Sequence, residues 1–484
     1  MTKKRQNILI GAVIAAFISG CAMLGPNYKP VKPDAPAAWQ TAMTGSLQPG
    51  QVDRTVLSRW WTVFNDPLLA ELEGEALHGN LDIKTAMSRV REARALMGIN
   101  RAGLFPSINT SAAASKSRDS FSFTGSGESN LYNVGFDAGW ELDIFGGKKR
   151  ALEAAKADLA ARREALHEVL VSLSAEIGIN YVDVRTYQAR LKTARNNLAA
   201  QKQALALNQS RYQTGLIDDL ALQQSRYNME LTRSHIPQLR TALSAAMNRL
   251  AILLGQKPGS LNRRLTKIAP VPAAPPEITV GVPAEALRRR PDIRRAERQL
   301  AAQTARIGVA KADLYPKFKL AGSIGLESLH LKDLPEWTSR LFRIGPSVSW
   351  NIFDAGAIRQ NIVVQNARQE QAMLHYKATV LNALEEVENT LTAFVQEETR
   401  KQALTRAAKA AGKAEQTAAD RYQAGLTDFS NVLKARRSLF SFNDELAQST
   451  GAVTTDLIRL YKALGGGWSS GVLPTTTGGR SVDR

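Results

Sequence analysis

Two patterns of apolar and polar residues share this chain, and each occurs twice. Tyr132, Val134, Phe136, Ala138, Trp140 and Leu142 alternate with Asn133, Gly135, Asp137, Gly139 and Glu141. Phe342, Ile344, Pro346, Val348, Trp350 and Ile352 alternate in the same way with Arg343, Gly345, Ser347, Ser349 and Asn351. Period two predicts strands with one apolar and one polar face. Weaker alternating partners precede them, about 106 to 119 (Ile108, Thr110, Ala112) and about 316 to 327 (Phe318, Leu320, Ile324). Phe121 to Asn130 and Ser328 to Arg340 are Gly/Ser-rich or Pro-containing loops between the partners, so each run reads as a β-hairpin, 106–142 and 316–352.

The second pattern is helical. From about Gly147 to Gln213 there is no proline, and Gly178 is the one internal glycine. Leu152, Leu159, Leu166 and Leu173 keep seven-residue spacing, and Val184, Leu191, Leu198, Leu205 and Tyr212 resume it after an eleven-residue step. Heptads predict a left-handed coiled coil, and the inserted step is a stutter that locally unwinds it. At about 1.5 Å per residue this helix is roughly 100 Å long. The chain then turns at Thr214-Gly215-Leu216 and returns to about Leu254. A second such pair runs from about Ala357, turns at Ala424-Gly425-Leu426 and returns to about Leu464.

The two sets are copies. Arg211-Tyr212-Gln213-Thr214-Gly215-Leu216 returns as Arg421-Tyr422-Gln423-Ala424-Gly425-Leu426, Asp82-Ile83 as Asp292-Ile293, and Leu104-Phe105-Pro106 as Leu314-Tyr315-Pro316. Trp140, Leu250 and Gly255 return as Trp350, Leu460 and Gly465, always 210 residues later. A period this long excludes a solenoid and predicts a duplicated module. Its boundaries are 61–255 (long helix pair 147–255) and 284–465 (long helix pair 357–464), separated by a Pro-rich linker at 256–283. The stretch from Pro258 to Pro283 holds six prolines, both ends included. Ahead of the first copy, 21–60 reads as an extended N-terminal arm rather than a packed element, with Pro26, Pro30, Pro33 and Pro36. Asp66 and Pro67 suit the N-cap and first position of a helix, and Asn80 suits the cap of the next piece. Residues 466–484 are a C-terminal tail.

The N-terminus adds a compartment. Lys3, Lys4 and Arg5 followed by the short apolar run Ile8 to Ile18 form a secretory signal, 1–20, too short for a permanent membrane span. Ile18-Ser19-Gly20-Cys21 resembles a bacterial lipobox, which makes Cys21 the expected lipid-attachment site. It is also the only cysteine, so no disulfide framework exists within the chain. Ala22 follows it where an Asp tends to signal inner-membrane retention, leaving the outer membrane as the default.

Charge and chemistry change the picture little. The formal charge of +19 invites a nucleic-acid reading, but the cations are scattered along amphipathic helices with few aromatics between them, and a secretory signal leads away from nucleic acid. Solvated helix faces are the better account. No catalytic constellation emerges. His78, His167, His235, His330 and His375 match no metal-ligand spacing, and Glu385-Glu386 sit in a heptad pattern where solvated faces are expected. No enzyme activity, metal or cofactor is expected.

Four strands cannot close a barrel, and open sheet edges are not tolerated in lipid. If these strands enter a membrane, the chain must oligomerise, and three copies would supply twelve strands. The other reading is a lipid-anchored structural coiled coil of the envelope without a pore.

Several stretches together resemble the TolC-like outer membrane factor family, in the lipoprotein branch that serves resistance-nodulation-division efflux pumps. They are Cys21 with Gly25-Pro26-Asn27-Tyr28, Trp60-Trp61 with Phe64 and Asp66-Pro67-Leu68, and Trp140-Glu141-Leu142-Asp143. Arg290-Pro291-Asp292-Ile293 with Ala296-Glu297 and Leu300, Ala312 with Tyr315-Pro316, and Trp350 with Phe353-Asp354 complete the set. The resemblance implies a fold that mixes a membrane β-barrel with an α-helical barrel: four transmembrane strands and long coiled-coil helices per chain, closing as a homotrimer. An equatorial belt would form around the Pro-rich linker and the tail. It further implies a passive conduit in the outer membrane lipid, with its helical tunnel in the periplasm, fed by an inner-membrane resistance-nodulation-division pump through a periplasmic adaptor. The adaptor would meet the helical tips at Gly215, Leu216, Gly425 and Leu426. The gate candidates are Tyr422, Thr427, Asp428, Asn431 and Lys434. Relatives often carry acidic residues where this chain has Asn431 and Lys434; Tyr422 matches a tip tyrosine of the closed state, and Thr427 falls where some have an Arg.

Overall fold

The computed structural model describes residues 23–118 and 127–469. Cys21, the signal 1–20, the middle of the first hairpin loop and the tail beyond 469 lie outside the described residues. Elements follow in the order β1 (Leu47–Pro49), α1 (Arg54–Ser58), α2 (Pro67–Gly79), α3 (Leu81–Ala102), β2 (Ser107–Arg118), β3 (Glu128–Leu142), α4 (Gly147–Gln213) and α5 (Asp219–Leu253). They continue with α6 (Asn262–Leu265), β4 (Ile278–Val280), α7 (Pro283–Arg289), α8 (Pro291–Ala312), β5 (Lys317–Ser328), β6 (Arg340–Ser349), α9 (Ala357–Gln423) and α10 (Phe429–Ala463). The duplication survives in three dimensions: α4 and α9 both have 67 residues, α5 and α10 both 35, α3 and α8 both 22. Each pair begins at repeat-mate positions.

The chain divides into two compact units. Among the described residues, the first comprises 23–32, 88–118, 127–163 and 295–377 and contains a four-stranded antiparallel sheet in the order β2-β3-β5-β6. Each predicted hairpin is present, the second ending at Ser349 rather than at Ile352, and the two copies join through β3 and β5, with Asp137 opposite Ser323. In the same unit the segment after the signal is held by Arg150, whose side chain is 1% exposed. Its guanidinium donates to the Leu24 and Gly25 carbonyls and to Asn27 Oδ1, at 2.9, 3.2 and 2.7 Å. Gly25, at φ +88°, lies against Gly308 so closely that a Cβ at either would strike backbone. The Gly25-Pro26-Asn27 motif thus has a packing reason.

The second unit comprises, among the described residues, 33–87, 164–294 and 378–469. Here the arm departs from the expectation of an unpacked segment, and it packs with the linker. β1 in the arm pairs in parallel with β4 in the linker, with Leu47 opposite Ile278. Leu47, Leu57 and Trp60 are buried, and so are Leu261, Leu265, Ile278 and Val280. Leu47 in β1 and the alternate Ile278 and Val280 in β4 bury apolar surface that stabilises even three-residue strands, despite the surrounding prolines. Trp60 stacks on Tyr461 with ring centroids 6.1 Å apart and lies over Gly178, where a Cβ would collide with its ring. That contact accounts for the single glycine inside α4. Asp66 caps α2 through the Leu68 and Leu69 amides, and Asn80 caps α3 through those of Asp82 and Ile83, as expected.

Along α4 the heptad positions Leu159, Leu166, Leu173, Val184 and Leu191 are buried, Leu198 and Leu205 half-buried, and Tyr212 is 44% exposed. No helix among the described residues is long and apolar enough to cross a membrane.

Candidate functional site: the sheet and the helical tips

The sheet separates its residues by chemistry. One face carries rows such as Thr110–Phe136–Ile324–Phe342 and Ile108–Ala138–Gly322–Ile344. The other carries Asn109–Asp137–Ser323–Arg343 and Glu141–Lys319–Ser347. The apolar face is uncovered: Ile108, Phe136, Phe342 and Ile344 are 72%, 58%, 82% and 74% exposed. From Leu142 to Tyr132 the apolar positions span roughly 33 Å of strand at about 3.3 Å per residue. Tilted by about 40°, that gives a band about 25 Å tall, the height of a bilayer-facing barrel surface. Beyond Tyr132 on this face come Lys116 and Glu128, ion-paired at 2.6 Å. At the opposite end, Trp140 Nε1 donates to the Leu104 carbonyl at 2.9 Å and Trp350 Nε1 to the Leu314 carbonyl at 3.0 Å. Each indole thus satisfies a carbonyl just past the C-terminal end of a helix, α3 or α8, at the level where amphipathic rings favour a membrane boundary. β2 and β6 are unpaired along their outer edges among the described residues.

The two tips are built alike. Leu216 N–H donates to the Arg211 carbonyl and Gly215 N–H to that of Tyr212, while Leu426 and Gly425 do the same to Arg421 and Tyr422. This is the Schellman ending, and it needs a left-handed residue. Gly215 and Gly425 both stand at φ +72° with nothing near a would-be Cβ. Leu216 and Leu426 are 73% and 77% exposed, so the apolar contact that often accompanies this motif is missing and both leucines face outward.

Of the gate candidates, the structure brings Tyr422, Thr427 and Asn431 into local contacts. Tyr422 lies between Arg211, whose guanidinium carbon is 4.5 Å from the ring centroid, and Phe429, whose ring is 5.1 Å away. Its hydroxyl is buried without a hydrogen-bond partner. Thr427 Oγ1 accepts from Asn431 Nδ2 at 2.8 Å. Asp428 is the N-cap residue of α10, yet its carboxylate caps nothing, whereas Asp218 at the other tip accepts from the Ala221 amide at 2.9 Å. Asn431 and Lys434 occupy the exposed side of α10, with Phe429 and Val432 buried on the other. Arg211 and Phe429 are partners that the linear pattern did not single out.

Above the tips, α10 is tied to other helices. Arg190 on α4 meets Asp444 in a two-point contact at 2.9 and 2.8 Å, and Arg437 donates to Asn228 on α5 at 2.6 Å. Beside these links a cavity of about 480 Å³ is lined by Tyr187, His235, Leu239, Leu433 and Phe440 among others.

Two acids in the second unit behave unlike the solvated charges expected of helix faces. Glu386 forms an ion pair with Arg290 at 2.7 Å, so the Glu385-Glu386 pair splits: Glu385 is exposed and Glu386 is a structural counter-ion. Its partner lies far off in sequence, which the local heptad pattern could not indicate. Glu73 on α2 is buried, and burial pushes its carboxyl well above the usual range. Tyr461 is likewise pushed up by burial, to about 12. Among the described residues no cluster of His, Cys, Asp and Glu could hold a metal ion.

Comparison with known proteins agrees with this construction. The family model described as outer membrane efflux protein matches twice, over residues 72–256 and 282–466. A nodulation protein T from Rhizobium leguminosarum bv. trifolii is 32% identical over 96% of this chain and 97% of its own. The toluene efflux pump outer membrane protein TtgF of Pseudomonas putida is 30% identical over 95% and 97%. Among solved structures, the outer-membrane channel OprN superposes with a TM-score of 0.86 at 34% identity, covering 92% of this chain and all of the other.

Proposed function

The chain belongs to the outer membrane efflux protein family, and on that premise we propose that it is the outer membrane channel of a tripartite efflux system. Three copies close a twelve-stranded barrel continued by a helical tunnel. The channel conducts passively what an inner-membrane pump of the resistance-nodulation-division type delivers through a periplasmic adaptor.

The observation that carries this reading is the sheet: an uncovered apolar face of bilayer height, a polar face behind it, and two unpaired edges. Lipid tolerates the first only if the edges are closed, and closure leaves the polar face lining water. A poreless coiled coil leaves both the apolar face and the edges unexplained. Cys21 is assigned as the acylated N-terminus. The leucines exposed beside Gly215 and Gly425 suit adaptor docking, because outward apolar side chains at a rigid turn are ready contacts. Tyr422, Thr427, Asp428, Asn431 and Lys434 are assigned to the aperture. The cavity beside α10 leaves room for that helix to shift once the Arg190–Asp444 and Arg437–Asn228 links release. The cargo is set by the pump.

Planar-bilayer recording tests the reading. Purified protein should give large, long-lived aqueous conductances, and native mass spectrometry in detergent should give a trimer. A monomer without conductance would favour the poreless alternative.

A further inference from the structure

We propose that β6 of one copy pairs antiparallel with β2 of a second copy in the register that sets Ser347 opposite Ala113. The inference rests on the trimeric reading above and specifies how the barrel closes.

The internal repeat supplies the rule. Within one chain, β3 of the first copy pairs with β5 of the second, and Asp137 stands opposite Ser323. Both hairpins share one register: Ser107 faces Gly139 and its repeat mate Lys317 faces Ser349. Strand pairing between copies is therefore already drawn once. Applying the same operation again takes Asp137 to its repeat mate Ser347 on β6, and Ser323 to its mate Ala113 on β2. Those are the two strands whose outer edges are free. The operation also carries a stagger: one row takes Ala112 to Leu326, four residues beyond its repeat mate Gly322. A constant stagger around the ring is what a tilted barrel requires.

Side-chain chemistry selects the same register independently. A slip by one residue would turn the apolar face of one strand toward water, so only even slips remain. A two-residue slip one way sets Arg340 directly opposite Arg118 of the second copy, and like charges across an antiparallel pair repel. A two-residue slip the other way draws Lys116 and Arg118 along Pro346 and Ile344, deeper into the apolar face, where the cost of a cation rises. The proposed register separates the two arginines and sets Lys116 opposite Ile344 and Arg118 opposite Phe342, two residues nearer the loop end of the face. On the polar face it places Ser349, Ser347, Gly345 and Arg343 against Ser111, Ala113, Ser115 and Ser117, so the Arg343 side chain meets no bulk.

Disulfide trapping on the water-facing side tests this. Ser347→Cys with Ala113→Cys places two thiols at a directly opposed pair, within the Cα separation that a disulfide accepts. Ser347→Cys with Ser111→Cys or with Ser115→Cys places them on diagonals of about 7–8 Å, beyond it. Under a mild oxidant the in-register variant should form covalent dimers and trimers on a denaturing gel at least tenfold faster than either diagonal variant. The single-cysteine variants, which retain Cys21, should remain monomeric on that gel. A diagonal pair reacting fastest, or a disulfide within one chain, overturns the proposed register. A native trimer with no cross-link from any pair overturns the edge pairing alone, whereas a native monomer overturns the trimeric reading itself.

Discussion

Positions 80 and 290 are repeat mates that perform one task with different chemistry. Asn80 Nδ2 donates to the Leu253 carbonyl at 2.8 Å, and Arg290 Nη1 donates to the carbonyl of Ala463, the repeat mate of Leu253, at 2.7 Å. Each bond ties the start of a short helix, α3 or α8, to the C-terminal end of a return helix, α5 or α10, where carbonyls lack intrahelical partners. Asn80 does this while neutral and also caps α3 through its other side-chain atom. Arg290 brings a charge into a buried position, 9% exposed, and needs Asp292 and Glu386 within 2.7 Å to balance it. Burial pulls the guanidinium pKa down, but the hydrogen bonds and charges of those two acids override it and raise it. The fold therefore demands a donor at this place in each copy and is indifferent to which. A charged donor costs two acids to hold.

The largest effect should come from breaking the charged version. Arg290→Met strands a carbonyl and two carboxylates, and we expect a loss of about 3 kcal/mol, read as a marked drop in the thermal midpoint of the purified channel. Asn80→Ala removes a cap and a buried donor together and should cost about 2 kcal/mol by the same measurement. A larger loss at Asn80 than at Arg290 would overturn the contrast between the two copies.

Glu73 sharpens the comparison further, because the second copy begins its corresponding helix only at Pro283 and carries no such acid. With its folded pKa raised, the native state holds a proton that the unfolded chain releases above the ordinary carboxylate range. Stability from this group is present at acid pH and declines as pH rises towards the raised value. Glu73→Gln should flatten that decline in melting curves taken across pH.

The tips give smaller differences. Asp218→Ala should cost about 1 kcal/mol and hasten amide exchange at Ala221, whereas Asp428→Ala, lacking a capped amide, should leave its helix start unchanged. Equal effects at both would show that Asp428 caps in the assembled channel. Lys434→Asp should hardly change stability. If the exposed side of α10 lines the aperture, three copies of Lys434 set its charge, and the substitution should move the reversal potential in a salt gradient toward cations and increase block by multivalent cations. Unchanged selectivity would place Lys434 in bulk solvent.

Local pattern alone determined the duplicated module, the spans of the long helices, the turns at Gly215 and Gly425, and the two faces of the hairpins. Period and turn chemistry act over a few residues, so neighbouring letters carry them. The tertiary structure alone decided the pairing of β1 with β4, the clasp of Arg150 on the segment after the signal, the seat of Tyr422 beside Arg211, and Glu386 as the counter-ion of Arg290. The bonds of Asn80 and Arg290 show the reason, since each spans 173 residues of chain. A hydrogen bond is satisfied by whichever donor the folded backbone brings near, so one position accepts an Asn in the first copy and an Arg in the second.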